Sequence, residues 1–251
     1  MLDQSSSDVK IIVALHKKYP VAADPLYTPL HVGAAGKPSL GIPGDDTGKN
    51  ISEKNTTYCE LTGIYWAWKN CDSSFIGICH YRRYFSSGDF WVRVHMHLRR
   101  QRKFALILTR RRAVKLLRHY EVLVPKKEQF PGETVREHFC HHHHRADLEL
   151  MRRLIEERQP RYLADFDAVM ADDGLYLYNM FVMSRQLMDA YCSWLFPLLA
   201  EVERHVSLAD YDDYQKRLIG FLGERLFNVW LHHHPLLRVK PLKIINIEDQ
   251  V

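Results

Sequence analysis

The sequence predicts an α/β fold organised as a single domain, on three observations. Short β-branched runs alternate with segments of helical period, the pattern of a sheet covered by helices. The 251 residues are enough to bury a sizeable core in one unit. No internal repeat or low-complexity linker divides them, and 46% hydrophobic with 26% charged residues is ordinary for a globular protein.

Lys10-Ile11-Ile12-Val13-Ala14-Leu15 reads as a buried first strand, and residues 19–50, rich in Gly and Pro, as a long functional loop. Tyr58, Leu61, Tyr65 and Trp68 recur at helical spacing and predict one aromatic helix over 55–69. Phe75-Ile76-Gly77-Ile78-Cys79 is a second strand that runs straight into His80-Tyr81-Arg82-Arg83. Ala113, Leu116, Leu117 and Tyr120 share a helix face before a strand at 121–125, and a helical region covers about 133–170. A strand over 175–183 precedes Ser184, an N-cap for a helix to about 204 that Pro197 should kink. A last helical stretch, 213–232, is expected to break near Gly220-Phe221-Leu222-Gly223.

No apolar run approaches the roughly 18 residues of a membrane span. The first ten residues lack the basic and apolar regions of a secretory signal, so the chain is expected in the cytosol. Five cysteines without a CxxC pair argue against a disulfide framework or a zinc ribbon. The net charge of +5 hides an asymmetry. Between Phe90 and Tyr120 there is no acid, yet ten of the 35 Lys and Arg fall there, which leaves 25 bases to face the 30 acids of the rest. Such a block marks a polyanion, an anionic membrane or a phosphorylated ligand, or else a solvated face.

None of the twelve glycines forms GxG, and GxxxxGK[ST], HExxH and GxSxG are absent. Dinucleotide oxidoreductases, P-loop kinases, zincins and serine hydrolases therefore have no anchor. The most informative string is His80-Tyr81-Arg82-Arg83 at the carboxyl end of an inner strand, where open α/β sheets bind ligands. Two permanently charged forks there suit phosphate oxygens, and a pyrophosphate is a natural guest.

Asn50-Ile51-Ser52-Glu53-Lys54-Asn55, Tyr58-Cys59-Glu60-Leu61-Thr62, Tyr65-Trp66-Ala67-Trp68-Lys69-Asn70 and His80-Tyr81-Arg82-Arg83-Tyr84-Phe85 together resemble a known family. Tyr178-Asn179-Met180-Phe181, Tyr191-Cys192-Ser193-Trp194-Leu195-Phe196 and Gly220-Phe221-Leu222-Gly223-Glu224-Arg225-Leu226 extend the match over residues 10 to 245. The family is that of bacterial capsular and exopolysaccharide glycosyltransferases long filed as a domain of unknown function. The resemblance implies a GT-A-like fold, a mixed central sheet flanked by helices in one compact domain. Residues 10–125 would form a nucleotide-sugar half and 126–245 an acceptor and catalytic half. The implied reaction moves a UDP-linked sugar, with galactose in furanose or pyranose form as the candidate, onto a growing capsular, exopolysaccharide or O-antigen glycan.

On that reading Glu224, which follows Gly223 at the expected start of a helix, is the general base of an inverting transfer, and the helix N-terminus would keep it ionised. Arg225 would orient Glu224 or touch the diphosphate; the competing reading makes Glu224 a salt-bridged helix acid. Asp172 and Asp173 are second choices for catalysis or sugar binding. His80, Tyr81, Arg82 and Arg83 would hold the donor diphosphate. Asn50, Ser52 and Asn55 would meet the donor or cap the helix; His16 and Gly33 lie where such folds hold the nucleoside. Asn179 would reach the acceptor or the sugar.

Many GT-A enzymes hold a divalent metal with Asp-x-Asp at a strand end, and His80-Tyr81-Arg82 stands in that place here. The expectation is donor binding without a metal cofactor. Asp165-Phe166-Asp167 and Asp210-Tyr211-Asp212 read as helix or loop acids. His138, Cys140-His141-His142-His143-His144 and His232-His233-His234 read as solvated helix faces rather than metal sites. The expected partners are the donor, a lipid-linked or oligosaccharide acceptor, and the anionic inner face of the cell membrane through residues 93–118, with no nucleic acid. Two rival readings are a non-catalytic scaffold of a polysaccharide complex and a nucleic-acid module stacking bases on Trp91, Phe104 and Tyr120.

Overall fold

The computed structural model describes residues 8–88 and 103–248. Its strands are β1 (Val9–Leu15), β2 (Tyr27–His31), β3 (Phe75–His80), β4 (Arg83–Phe85), β5 (Val122–Pro125), β6 (Glu128–Gln129), β7 (Gly174–Leu175), β8 (Phe181–Ser184), β9 (Val239–Leu242) and β10 (Ile244–Asn246). The helices are α1 (Asn55–Tyr58), α2 (Leu61–Asn70), α3 (Arg110–Leu117), α4 (Val135–His142), α5 (Arg145–Arg158), α6 (Leu163–Ala171), α7 (Arg185–His205) and α8 (Leu218–His233).

The main sheet runs β2-β1-β3-β8-β5-β9, with β4 and β10 added beyond the end of β3. β1 is parallel to both β2 and β3; β8 is antiparallel to β3 and β5; β9 is parallel to β5. The sheet is mixed, as expected. With these directions, the carboxyl ends of β1, β2, β3, β5 and β9 and the amino end of β8 all meet at one edge.

The period-2 alternation of the buried strands splits the core between the two faces. Ile12, Ala14, Ile76 and Ile78 pack beneath α2 and α4–α8, whereas Val9, Ile11, Val13, Leu15 and Cys79 face α3, β4 and β10. Ser184 caps α7 by accepting from the Leu187 amide, and the helix continues through Pro197.

Several expectations are corrected. The loop 19–50 contains β2, whose backbone pairs with β1 despite its Pro. The aromatic helix is broken at Cys59, which adopts a left-handed φ of 51°, so α1 and α2 are separate. The strand expected over 175–183 is β7, an irregular strap and β8, because Tyr178 and Asn179 also take positive φ values of 74° and 48°. The helix expected to break at Gly220–Gly223 runs unbroken as α8, since both glycines are points of close packing against Cys59 and Leu61.

Candidate active site

Three elements converge at the carboxyl edge: the end of β3, the strap before β8, and the first turns of α8. His80 closes β3, and its Nε2–H donates to the Tyr178 carbonyl at 2.7 Å; the carbonyl only accepts, which fixes the tautomer. Burial lowers the pKa of His80, Arg83 and Arg82 add to that, and Glu60 opposes it. The Asn179 side chain donates from Nδ2 to Glu60 Oε1 at 2.7 Å and to the Gly220 carbonyl at 3.3 Å. Its Oδ1 is buried without a partner.

The Glu224 side chain lies between the strap and α8 in this arrangement. Oε1 accepts the Tyr178 amide at 2.8 Å and Oε2 accepts Arg225 Nη1 at 3.2 Å, with the Glu224 side chain 17% exposed. Burial raises its pKa; Arg225 pulls it down and Glu60 pushes it up. A carboxylate poised above its ordinary range and still open to one side suits proton abstraction. The expected helix-N-terminal location is corrected: α8 starts at Leu218, so Glu224 stands in its second turn and burial, not the helix dipole, governs its proton.

All three non-glycine residues with left-handed backbone among the described residues, Cys59, Tyr178 and Asn179, lie in this cluster. Such conformations cost about 1–3 kcal/mol each and gather at sites whose geometry the surrounding fold over-determines. Gly220 permits the close approach: a Cβ there would stand 3.0 Å from Cys59 Sγ.

Cations rim the edge. His16 lies against Tyr81, ring centroids 5.2 Å apart, and its pKa is lowered by the packing around it and then by Lys17, Arg82, Lys37 and Arg217. Arg217 is exposed, donates from Nε to Cys59 Sγ at 3.3 Å, and also acts electrostatically on Glu224. The adjacent pair Arg82 and Arg83 diverges at the turn. Arg82 lies 3.6 Å from Glu248, and Arg83 stacks on the Tyr178 ring with Cζ 4.4 Å from its centroid. Tyr81 is buried between His16 and Tyr19 and supports this rim through its ring.

The remaining expected site residues take other places. Arg225 is 4% exposed, with its guanidinium 5.2 Å from the Phe139 ring and Nη1 also on the Phe221 carbonyl at 3.0 Å. It is therefore a buried partner of the Glu224 carboxylate and not part of the exposed cation rim. Gly33, Ser52 and Asn55 are built into a loop staple around Asp45, which is fully buried. Its carboxylate accepts the Gly33 and Ala34 amides at 2.9 and 3.0 Å, Thr62 Oγ1 at 2.6 Å, and Ser52 Oγ. Asn55 Nδ2 donates to the Cys59 carbonyl and to Thr62, and Asn50 turns back on Gly48 and Ser52. The polar side chains of Asn50, Ser52 and Asn55 thus hold chain turns. Asp172 pairs with Lys127 at 2.5 Å, and that hydrogen bond lowers its pKa; it and Asp173 lie at the end of α6.

The histidine run is corrected in part. His143 is buried, stacked on Phe221 and Tyr214 at 4.2 and 5.6 Å, and its pKa falls to about 4. Its place at the end of α4, against the start of α8, turns one histidine of the run inward. Among the described residues no group of three or more His, Cys, Asp or Glu is gathered to hold a metal ion.

Sequence reasoning missed Glu60, Asp45 and Arg217. Arg217 precedes Glu224 by seven residues, two helical turns, and that spacing was the available signal. Nothing local marked Asp45, whose partners lie up to 17 residues away.

Residues 10–235 match the family described as a domain of unknown function, DUF4422. The chain belongs to this family. The comparison of this DUF4422 domain with curated proteins gives no match. A solved apo structure of WbbM, a bifunctional glycosyltransferase, is similar with a TM-score of 0.87 at 31% identity. The similarity covers 96% of this chain and 46% of that one, so the DUF4422 domain spans about half the length of that protein.

Proposed function

We propose that this domain is a glycosyltransferase that moves a sugar from a nucleotide-sugar donor to a glycan acceptor, with Glu224 as general base. One observation carries the reading: a desolvated carboxylate of raised pKa stands at the carboxyl edge of a mixed sheet, within the field of Arg217, which also acts on the cation rim around His16. The family match over residues 10–235 and the similarity to WbbM over 96% of this chain support it.

In the proposed step Glu224 takes the proton of an acceptor hydroxyl as its oxygen bonds to the anomeric carbon. The bond from that carbon to the diphosphate oxygen breaks, and the electron pair leaves with the nucleoside diphosphate. Attack on the face opposite the departing group inverts the configuration. Charge developing on the diphosphate is stabilised by Arg217, Arg82, Lys37 and Lys17, rim cations that do the work a divalent ion does elsewhere. UDP is the proposed nucleotide and galactose, in either ring form, the proposed sugar. Thermal shifts with a panel of nucleotide sugars test the donor class. Stabilisation by one of them and release of its diphosphate in EDTA support the reading. No stabilisation by any overturns it, and activity restored only by Mn²⁺ overturns the metal-free part.

The acceptor is proposed to be lipid-carried at the cytoplasmic membrane face. Arg111, Arg112, Lys115 and Arg118 are exposed on and just after α3 and support an anionic contact there. Arg93, Arg99, Arg100 and Arg102 of the same basic segment lie outside the described residues. Lys103 does not belong to this surface; it is buried and its Nζ donates to the Glu248 carbonyl at 2.9 Å. Among the described residues no helix is long and apolar enough to cross a membrane.

A further inference from the structure

The strap before β8 runs alongside α8 and is fastened to it twice, one helical turn apart. Tyr178 donates its amide to Glu224, while Asn228 Oδ1 accepts the Tyr176 amide at 2.8 Å and Asn228 Nδ2 donates to the Tyr176 carbonyl at 3.0 Å. The same four-residue step leads on to His232. There a cavity of about 210 Å³ opens, lined by Lys127, Asp172, Tyr176, His232, His234 and Leu237 among others. At about 1.5 Å of rise per residue, Asn228 and His232 lie about 6 and 12 Å from Glu224 along the helix axis.

We propose that this cavity binds one uncharged sugar ring of the acceptor, the unit behind the one whose hydroxyl faces Glu224. The proposal rests on the transferase reading above. Its chemistry comes from the lining. The lining presents no unpaired cation: Lys127 Nζ stands 2.5 Å from Asp172, and the Asp165 carboxylate accepts from Nδ1 of both His232 and His233 at 2.6 Å. An anionic guest would therefore gain no net attraction. His234 Nδ1 lies 2.7 Å from the Trp230 carbonyl, so Nδ1 carries the proton and Nε2 is an acceptor.

Acceptors and donors thus border a wall formed by Leu231, Leu237 and Val239 with the Tyr176 ring. A pyranose presents the complementary surface, hydroxyls around its rim and C–H groups on its faces. The volume is below the roughly 300 Å³ at which drug-sized pockets begin, which suits a single ring.

The test titrates the whole chain with methyl β-galactopyranoside, methyl β-glucopyranoside and inorganic phosphate while the ring ¹H–¹⁵N resonances of His232 and His234 are followed by NMR. The expected result is a saturable shift of both rings with at least one glycoside and none with phosphate. His234→Ala and Leu237→Trp should each weaken that binding about tenfold or more, with thermal melting showing that both variants fold. The proposal is overturned if neither glycoside shifts the rings up to its solubility limit, if phosphate alone does, or if binding survives both substitutions. Failure of the transferase reading is seen separately, as the absence of any response to nucleotide sugars.

Discussion

Glu224→Gln separates proton transfer from packing. The amide keeps an oxygen for the Tyr178 N–H at 2.8 Å but turns an NH₂ towards Arg225 Nη1, which stands 3.2 Å from the present Oε2. Arg225, 4% exposed, then retains only the Phe221 carbonyl for that nitrogen. Removing one partner of a buried pair costs about 3–5 kcal/mol, and the 17% exposure of Glu224 places this case near the lower end. At about 2–4 °C per kcal/mol for a chain of this size, melting should fall by about 6–12 °C. Loss of a general base lowers turnover about 10²- to 10⁴-fold. Nucleotide-sugar binding, measured by calorimetry below the melting range, should persist because the cation rim is untouched. Wild-type transfer should also rise with pH through a pKa above the ordinary 4.5 of a glutamate, since only the ionised carboxylate accepts the proton and burial raises its pKa. Transfer by Glu224→Gln within tenfold of wild type, or a wild-type profile with no acid limb, would refute the assignment.

Asp45→Ala strands four donors and should cost about 4 kcal/mol or more by urea denaturation; less than about 1 would mean that the loop staple is redundant. Gly220→Ala places a Cβ 3.0 Å from Cys59 Sγ and 3.1 Å from Cys59 Cβ and should destabilise by about 1–3 kcal/mol, with Cys59→Gly in the same chain, which removes both atoms, restoring most of it in a double-mutant cycle. His143 has a folded pKa of about 4 against 6.5 when unfolded, so the stability tied to its neutral form is complete above pH 6.5 and is lost as pH falls towards 4. That loss is bounded at about 3 kcal/mol; His143→Phe, stacking on Tyr214 and Phe221, should flatten this part of the stability profile. Neutralising Arg111, Arg112, Lys115 and Arg118 should weaken binding to anionic vesicles by about 1 kcal/mol per charge, roughly a thousandfold in all, as sedimentation with the vesicles would report.

The legible and the hidden parts of this chain divide along physical lines. β1, β3 and α7 were legible because their signals are local: β-branched runs, and Ser184 as cap. The place of His80 at the carboxyl edge of the sheet was legible from the strand that precedes it. The break at Cys59 was not, since Tyr58, Leu61 and Tyr65 keep helical spacing while Gly220 and Asn179, distant in sequence, shape the turn. The Gly220–Gly223 segment misled in the opposite sense, because glycines placed for contact with Cys59 and Leu61 resemble glycines placed to end a helix. Glu224 was singled out by its neighbours in sequence, but its environment was not legible there: Tyr178, Glu60 and Arg217 reach it only through the fold. Asp45 collects its partners from both ends of a loop, a pattern without periodicity.

The two fastenings of the strap to α8 make that helix sensitive to phase. Each added residue turns the downstream part of the helix by about 100° and advances it by about 1.5 Å. One residue inserted between Glu224 and Asn228 would carry Asn228 away from Tyr176 while leaving Tyr178 on Glu224. Four residues would restore the angle and move His232 about 6 Å further off. Length variation in α8 is therefore admissible only in near-whole turns, so the helix works as an indexed scale: its register, more than the identity of any one side chain, sets the span between Glu224 and the far cavity.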